Sequence, residues 1–178
     1  MTETKAKTEV FILDTFLGRL KVSVHEGKVV KLHYLSGTSA KERNTSHQLS
    51  ATTRAVKQQL QTYFSTTAPA NQTKKINVEF TEGTVYQQTV WRELLKITAG
   101  NTITYGQLAK KLGSGPRAVA NACRNNPIPV IVPCHRVVAK AGLGGYHGAT
   151  SGKYLNIKKK LLAHEGAIIS VQSKLNGG

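Results

Sequence analysis

Alternation of apolar and polar positions dominates the first part of the chain. Val10, Ile12 and Leu13 precede Asp14, and Leu20, Val22 and Val24 alternate with polar residues up to His25-Glu26-Gly27-Lys28. Period-two alternation closed by a glycine-containing polar tetrad predicts two strands and a tight turn. Val29, Val30, Leu32 and Tyr34 supply a third strand, so residues 8–35 read as a β-hairpin region with one more strand attached. Residues 36–50 are polar and rich in Ser and Thr, which predicts a loop. Across 49–64, Leu49, Val56, Leu60 and Tyr63-Phe64 recur at helical spacing. Residues 65–75 are polar, contain a proline and read as a linker, and Ile76–Phe80 reads as a last strand.

The period changes at Gly83. Thr84-x-x-Gln87 has the form of a capping box, and Tyr86, Val90, Trp91, Leu94 and Leu95 then share one helical face until Gly100. Trp91 lies on that apolar face, which assigns it to the core. Thr104-x-x-Gln107 is a second capping box, opening a short helix that runs through Leu112 and stops at Gly113. Pro116 suits a first helical position, and residues 117–124 form the next helix. Two short helices joined by a glycine-containing turn, the second with arginine near its start, match the helix-turn-helix pattern. Ala118, Ala120 and Ala122 keep the second helix slim, and on these grounds alone its place would be a DNA major groove.

The segment from Asn126 to Val138 interrupts this helical run. The β-branched stretches 130–132 and 137–138 flank Pro133, Cys134 and His135. Proline cannot donate to a ladder, so the segment predicts a buried strand, a tight break, then strand again. A thiol beside a titratable base at a bend is one way to build a reactive nucleophile, and basic surroundings would lower the thiol's pKa. In a regular strand the two side chains would face opposite ways, so either the bend re-aims one or a water links them. A buried cysteine beside a structural histidine is the competing reading.

Charge narrows the partners. The chain has 178 residues and a net charge of +16. Residues 1–93 hold thirteen Lys and Arg against eight acids, whereas 94–178 hold twelve against one, Glu165. Such a one-sided surface suits a polyanion, whose phosphates release counterions on binding. No apolar run approaches the roughly 20 residues of a membrane span, and residues 1–7 lead into no signal-peptide core. A soluble protein is expected, cytoplasmic, or nuclear in a eukaryote. With only Cys123 and Cys134 there is no disulfide framework. His25, His33 and His47 do not cluster with cysteine at zinc spacing, so no metal and no cofactor is expected.

The string Pro133-Cys134-His135-Arg136-Val137, with Asn126-Pro127 upstream, resembles the methylated-DNA–protein-cysteine methyltransferases, or O6-alkylguanine-DNA alkyltransferases. Residues 83–91 resemble that family's opening helix, with Tyr86 where phenylalanine is usual. The resemblance is strong over 83–166 and weak over 9–80. It implies that Cys134 accepts the alkyl group, that His135 acts on the sulfur through water, and that Glu165 orients the histidine. Asn126 matches the hinge asparagine that braces the cysteine turn. Tyr105 matches a tyrosine that crowds the target phosphate and donates to guanine. Arg117 matches the arginine that fills the gap left by a flipped base, on a helix placed in the minor groove. Thr104, Ala118, Ala120, Asn121 and Arg124 fall at DNA-facing positions. Cys123, Val138, Gly145, Tyr146, His147 and Gly148 fall at pocket positions, within a glycine-rich wall spanning 141–148. Arg124 and Arg136 are expected to make phosphate or structural contacts.

Some features depart from the family pattern. The turn between the two short helices is shorter, extra residues stand around Thr150–Tyr154, and Ala120 replaces a common glycine. The implied fold is α/β: residues 1–80 form a mixed domain of antiparallel sheet plus helix, ribonuclease-H-like. Residues 81–178 form a mostly helical DNA-binding domain with a helix-turn-helix. The implied function is irreversible transfer of an alkyl group from O6 of guanine, secondarily O4 of thymine, in double-stranded DNA. A monomer that reacts once is expected. Alternatives are a non-reactive sensor of alkylated DNA, a helix-turn-helix regulator, and a cysteine hydrolase. Ile168, Ile169 and Val171 predict a short strand in the tail, followed by disorder.

Overall fold

A computed structural model describes residues 7–36, 48–67 and 72–167. His47, most of the 36–50 loop and the tail from residue 168 lie outside the described residues, as does the start of the chain. Three strands, β1 (Glu9–Thr15), β2 (Gly18–His25) and β3 (Lys28–Tyr34), form an antiparallel sheet in sequence order. Glu26 and Gly27 both have positive φ, at 49° and 76°, so the β2–β3 connection is the mirror-image turn that matches strand twist. Alternation places Phe11, Leu13, Leu20, Val22, Val24, Val29 and Leu32 in the core.

Helix α1 (Ala51–Ser65) covers the sheet with Val56, Leu60 and Tyr63. Its N-cap, Ser50, accepts from Thr53 N, and Glu9 of β1 accepts from both the Ser50 amide and hydroxyl at 2.8 and 2.6 Å. One carboxylate thus ties sheet to helix. Part of the expected linker is ordered: Gln72–Lys75 forms a 3-10 turn with Thr73 buried. The expected strand at Ile76–Phe80 is reduced to a single parallel bridge between Val78 and Val29. Among the described residues that bridge is made by Val29 N to Asn77 O and Glu79 N to Val29 O, at 2.9 and 3.0 Å.

The remaining elements are α2 (Val85–Leu94), β4 (Ile103–Thr104), α3 (Tyr105–Lys111), α4 (Pro116–Arg124), β5 (Val137–Val138) and α5 (Gly152–His164). Both capping boxes form as their sequence spacing predicts, at Thr84/Gln87 and Thr104/Gln107. Helix α2 ends earlier than the expected limit near Gly100, the chain leaving the helix at Leu95 and turning at positive-φ Gly100. Trp91 is buried and donates from Nε1 to Ala122 O at 2.8 Å, locking α2 onto α4. Strands β4 and β5 pair in parallel, Ile103 with Val137 and Thr104 with Val138. That short ladder sets the start of α3 beside the Cys134 segment.

The first strand expected in 126–138 is absent. Residues 126–133 curl into successive turns, with Val132 N donating to Ile128 O at 2.9 Å. Three prolines at 127, 129 and 133 remove the donors a central strand would need, overriding the β-branched propensity. Val130 sits at φ 73° and is fully buried, an unusual backbone state for a β-branched residue. Pro133, at φ −83° and ψ 65°, with Cys134 N on Val132 O at 2.9 Å, makes an inverse γ-turn. Cys134–Arg136 then form one 3-10 turn before β5.

Candidate active site

The tight turn brings the reactive candidates together at the base of a cavity of about 470 Å³. Cys134 is 3% exposed and forms part of the lining. Asn126 donates from Nδ2 to both Cys134 Sγ at 3.2 Å and Val132 O at 2.7 Å, while its Oδ1 accepts from Ile128 N at 3.0 Å. A single amide therefore holds the turn and touches the sulfur.

Behind the thiol lies a buried charged cluster. His135 Nε2 is 2.9 Å from Glu165 Oε1. Arg136 donates Nε to Glu165 Oε2 at 2.9 Å and Nη2 to Oε1 at 2.7 Å, and its third nitrogen reaches Ile97 O. Tyr63, from α1, donates to Glu165 Oε1 at 2.7 Å. Burial alone would raise the Glu165 pKa, but bonds from His135 and Arg136 and their charges hold it well below the usual carboxylate range. Glu165 is the C-cap of α5, where the helix dipole disfavours an anion, and Arg136 offsets that cost.

This fixes the histidine. Burial lowers the His135 pKa, only partly opposed by Glu165, so the ring is neutral at pH 7. An ionised carboxylate only accepts, so Nε2 carries the proton and Nδ1 keeps a lone pair. Nδ1 is buried and has no protein partner. That is the atom through which a base would act.

The thiol does not follow the expectation from the basic surroundings. Burial pushes the Cys134 pKa up, outweighing the Asn126 bond, the Lys158 charge and the Tyr146 hydroxyl, all of which pull it down. Desolvation of a thiolate with few direct cationic contacts is the larger effect. Activation therefore requires proton removal rather than a resting thiolate.

Lys158 was not singled out by the sequence argument. It is fully buried on α5 and donates to Val137 O at 2.6 Å and Gly145 O at 2.9 Å, joining the turn to the cavity wall. Burial lowers its pKa to about 8. A lysine on the apolar face shared with Leu161 and Leu162 was the available signal. Lys158→Met should cost roughly 1–3 kcal/mol by removing the donor to the buried Val137 carbonyl, while Gly145 O keeps the Tyr105 hydroxyl. Urea unfolding would measure that loss, and alkylation of Cys134 with iodoacetamide should move to higher pH as the nearby cation disappears.

Tyr105 starts α3, is half-buried and donates to Gly145 O at 3.3 Å. Ala120, Asn121, Cys123 and Arg124 of α4 line one side of the cavity, and Gly145, Tyr146, His147 and Gly148 the other. Gly148 has φ 77°, a backbone state that favours glycine, and a Cβ there would stand 2.6 Å from Arg124 Nε, so that side chain would have to shift. His147 has φ 49°, and burial, with a smaller contribution from His33, lowers its pKa to about 4. Arg117 and Ala118 are exposed on α4 and do not line the cavity. The Thr104 hydroxyl is committed to capping α3, and Val138 is buried in the β4–β5 ladder. Among the described residues no group of three or more His, Cys, Asp or Glu could hold a metal.

A buried cysteine backed by a neutral histidine and a carboxylate lies beside the α3–α4 pair of short helices, an arrangement of the class that sets a thiol next to a helix-turn-helix. Comparison with known proteins gives the family. Residues 85–167 match the family described as 6-O-methylguanine DNA methyltransferase, DNA binding domain. A crystal structure of Mycobacterium tuberculosis O6-methylguanine methyltransferase superimposes with a TM-score of 0.70 at 33% identity, covering 90% of this chain and 93% of that one. The chain belongs to the O6-methylguanine DNA methyltransferase family. A further structure from the same organism, in complex with DNA, matches at 34% identity and a TM-score of 0.69, covering 88% of this chain and 92% of that one. A methylated-DNA–protein-cysteine methyltransferase of Metallosphaera sedula is 42% identical over 88 residues, which are 49% of this chain and 53% of that protein. The chain thus spans about half the length of the curated relatives it matches.

Proposed function

We propose that this protein repairs alkylated DNA directly, moving the alkyl group from O6 of guanine to Sγ of Cys134, once per molecule. The observation that carries this reading is the position of Cys134 at the base of a cavity that α4 borders, with the His135–Glu165 pair behind it. Exposed Arg117 at the start of α4 would fill the stack while the damaged nucleotide rotates out, a step costing about a few kcal/mol. Small residues on the exposed face of α4, Ala118 and Ala120, suit close approach to the duplex.

In the reaction, His135 Nδ1 takes the thiol proton through a bridging water, and Glu165 stabilises the imidazolium. Sγ attacks the alkyl carbon opposite O6. The S–C bond forms, the C–O6 bond breaks, and the electron pair passes into the guanine ring. Tyr105, whose hydroxyl donates to Gly145 O in the free protein, would turn that proton to the developing anion, and the proton held by His135 completes neutral guanine through water. The thioether has no leaving route back, so the molecule is a reagent consumed in use. The partner is double-stranded DNA bearing O6-alkylguanine, engaged by a monomer in a reducing compartment.

Intact-protein mass spectrometry after incubation with an O6-methylguanine duplex tests this. One methyl per protein, mapped to Cys134, is the expected result. Unmodified protein that still binds the lesion duplex would replace it with the sensor reading.

A further inference from the structure

Glu165 Oε1 is a crowded acceptor in the buried cluster behind Cys134. Three donors converge on it: Tyr63 Oη at 2.7 Å, Arg136 Nη2 at 2.7 Å and His135 Nε2 at 2.9 Å. Its twin Oε2 takes Arg136 Nε at 2.9 Å. A carboxylate offers about four lone-pair sites, roughly two on each oxygen, so three donors on one oxygen compete for it. The His135 contact has the ordinary length of an N–H···O bond, and the other two are shorter.

Tyr63 belongs to α1, on the sheet side of the molecule, and two consecutive residues at the end of α5 grip it. Glu165 takes its hydroxyl, while His164 Nε2 lies 2.7 Å from its backbone carbonyl, with the two rings 5.2 Å apart and nearly edge-on. The side chain is fully buried. Burial, and then the Glu165 charge, push the phenol pKa up, so the hydroxyl keeps its proton and donates it to the carboxylate. Facing the cluster from other elements are Lys158 of α5, whose charge acts on His135, and Tyr34 of β3, which acts on Tyr63 and whose own hydroxyl is 2.8 Å from that of Tyr146. Replacing the Tyr63 hydroxyl leaves Arg136, Lys158, His164 and Tyr34 where they are.

A donor placed on a carboxylate oxygen draws charge out of it and weakens it as a partner for every other donor. A weakened carboxylate holds an imidazolium less tightly, which leaves the ring neutral at rest and frees its proton to pass on to guanine.

We propose that Tyr63 is a positioning residue: its hydroxyl competes with His135 Nε2–H for Glu165 Oε1 and so sets how strongly the carboxylate holds the imidazole that serves Cys134. This rests on His135 acting as the base toward Cys134. It places a control of the reaction in α1, outside the segment that carries the thiol and its base.

The test is Tyr63→Phe in the full chain, which removes the hydroxyl and keeps the ring against His164. The first readout is the proton NMR resonance of His135 Nε2–H, assigned by its loss in His135→Gln. The second is the pH midpoint of iodoacetamide alkylation mapped to Cys134. With one competitor gone the resonance should move downfield as the His135–Glu165 bond strengthens, and the midpoint should fall by about half a pH unit. A 3-fluorotyrosine at position 63, a stronger donor, should move both the opposite way. A resonance and midpoint that stay as in the wild type in both variants would overturn the proposal, whatever happens to Tm. So would an upfield move or loss of the resonance in Tyr63→Phe, the mark of a hydroxyl that merely holds the pair together. A downfield resonance with an unmoved midpoint would overturn the link to Cys134. Absence of methyl transfer from an O6-methylguanine duplex by the wild type would instead defeat the repair reading, while the two readouts would still decide the role of Tyr63.

Discussion

Glu165→Ala is expected to destabilise the protein by roughly 3–5 kcal/mol, because it leaves Arg136 buried without its carboxylate. In a chain of this size that corresponds to a fall in Tm of roughly 10 °C, measurable by calorimetry. Tyr63 and His135 would lose their acceptor in the same step. Glu165→Gln should fall between the two, keeping a carbonyl acceptor but not the charge. Acid titration gives an independent check. The Glu165 pKa is depressed in the folded state, so its stabilisation is present above the ordinary value of 4.5 and is lost as pH falls through the depressed one. The His135 pKa is also depressed, so below the ordinary value of 6.5 the unfolded chain takes up a proton that the folded chain resists. Wild-type stability should therefore decline from about pH 6.5 downward, with a second loss below about pH 4.5. In Glu165→Ala the second loss should shrink. A variant with unchanged Tm and an unchanged acid limb would show that the cluster contributes nothing net.

Cys134→Ala is expected to abolish alkyl transfer altogether while leaving the fold and duplex binding in place. The Asn126 amide keeps its bond to Val132 O, and its carbonyl keeps Ile128 N, so the turn survives loss of the sulfur. Affinity for an O6-methylguanine duplex, followed by fluorescence anisotropy, should change by no more than about threefold, the scale of one weak hydrogen bond. Mass spectrometry should find no added methyl. A methyl appearing on Cys123 would mean that the cavity holds a second acceptor and that the assignment to Cys134 is incomplete.

Local chemistry was what the sequence expressed most clearly. The two capping boxes, the Pro116 helix start and the Glu26-Gly27 turn each depend on residues a few positions apart, and all form. The tight break at Pro133 was also legible, because proline's missing donor acts wherever it stands. The strand before it was not, since Val130–Val132 favour extended backbone and only the spacing of three prolines, together with the Asn126 side chain, turns them into a coil of bonded turns. Cys134, His135 and Glu165 could be named from motif and charge, but not their state. The raised thiol pKa follows from burial, which a count of nearby basic residues does not report. Tyr34, Tyr63 and Lys158 escaped for a different reason. Their partners lie 112, 102 and 21 positions away, and no periodicity encodes such a meeting.

One consequence follows from where the last acid sits. Residues 94–178 contain a single side-chain carboxylate, and it is sealed inside the molecule against Arg136. The outer face of that half is thus electropositive by subtraction, with no acid of its own stretch to offset its lysine and arginine. A field of exposed charges reaches only about a Debye length, so the salt around the protein sets how far it can draw in a polyanion.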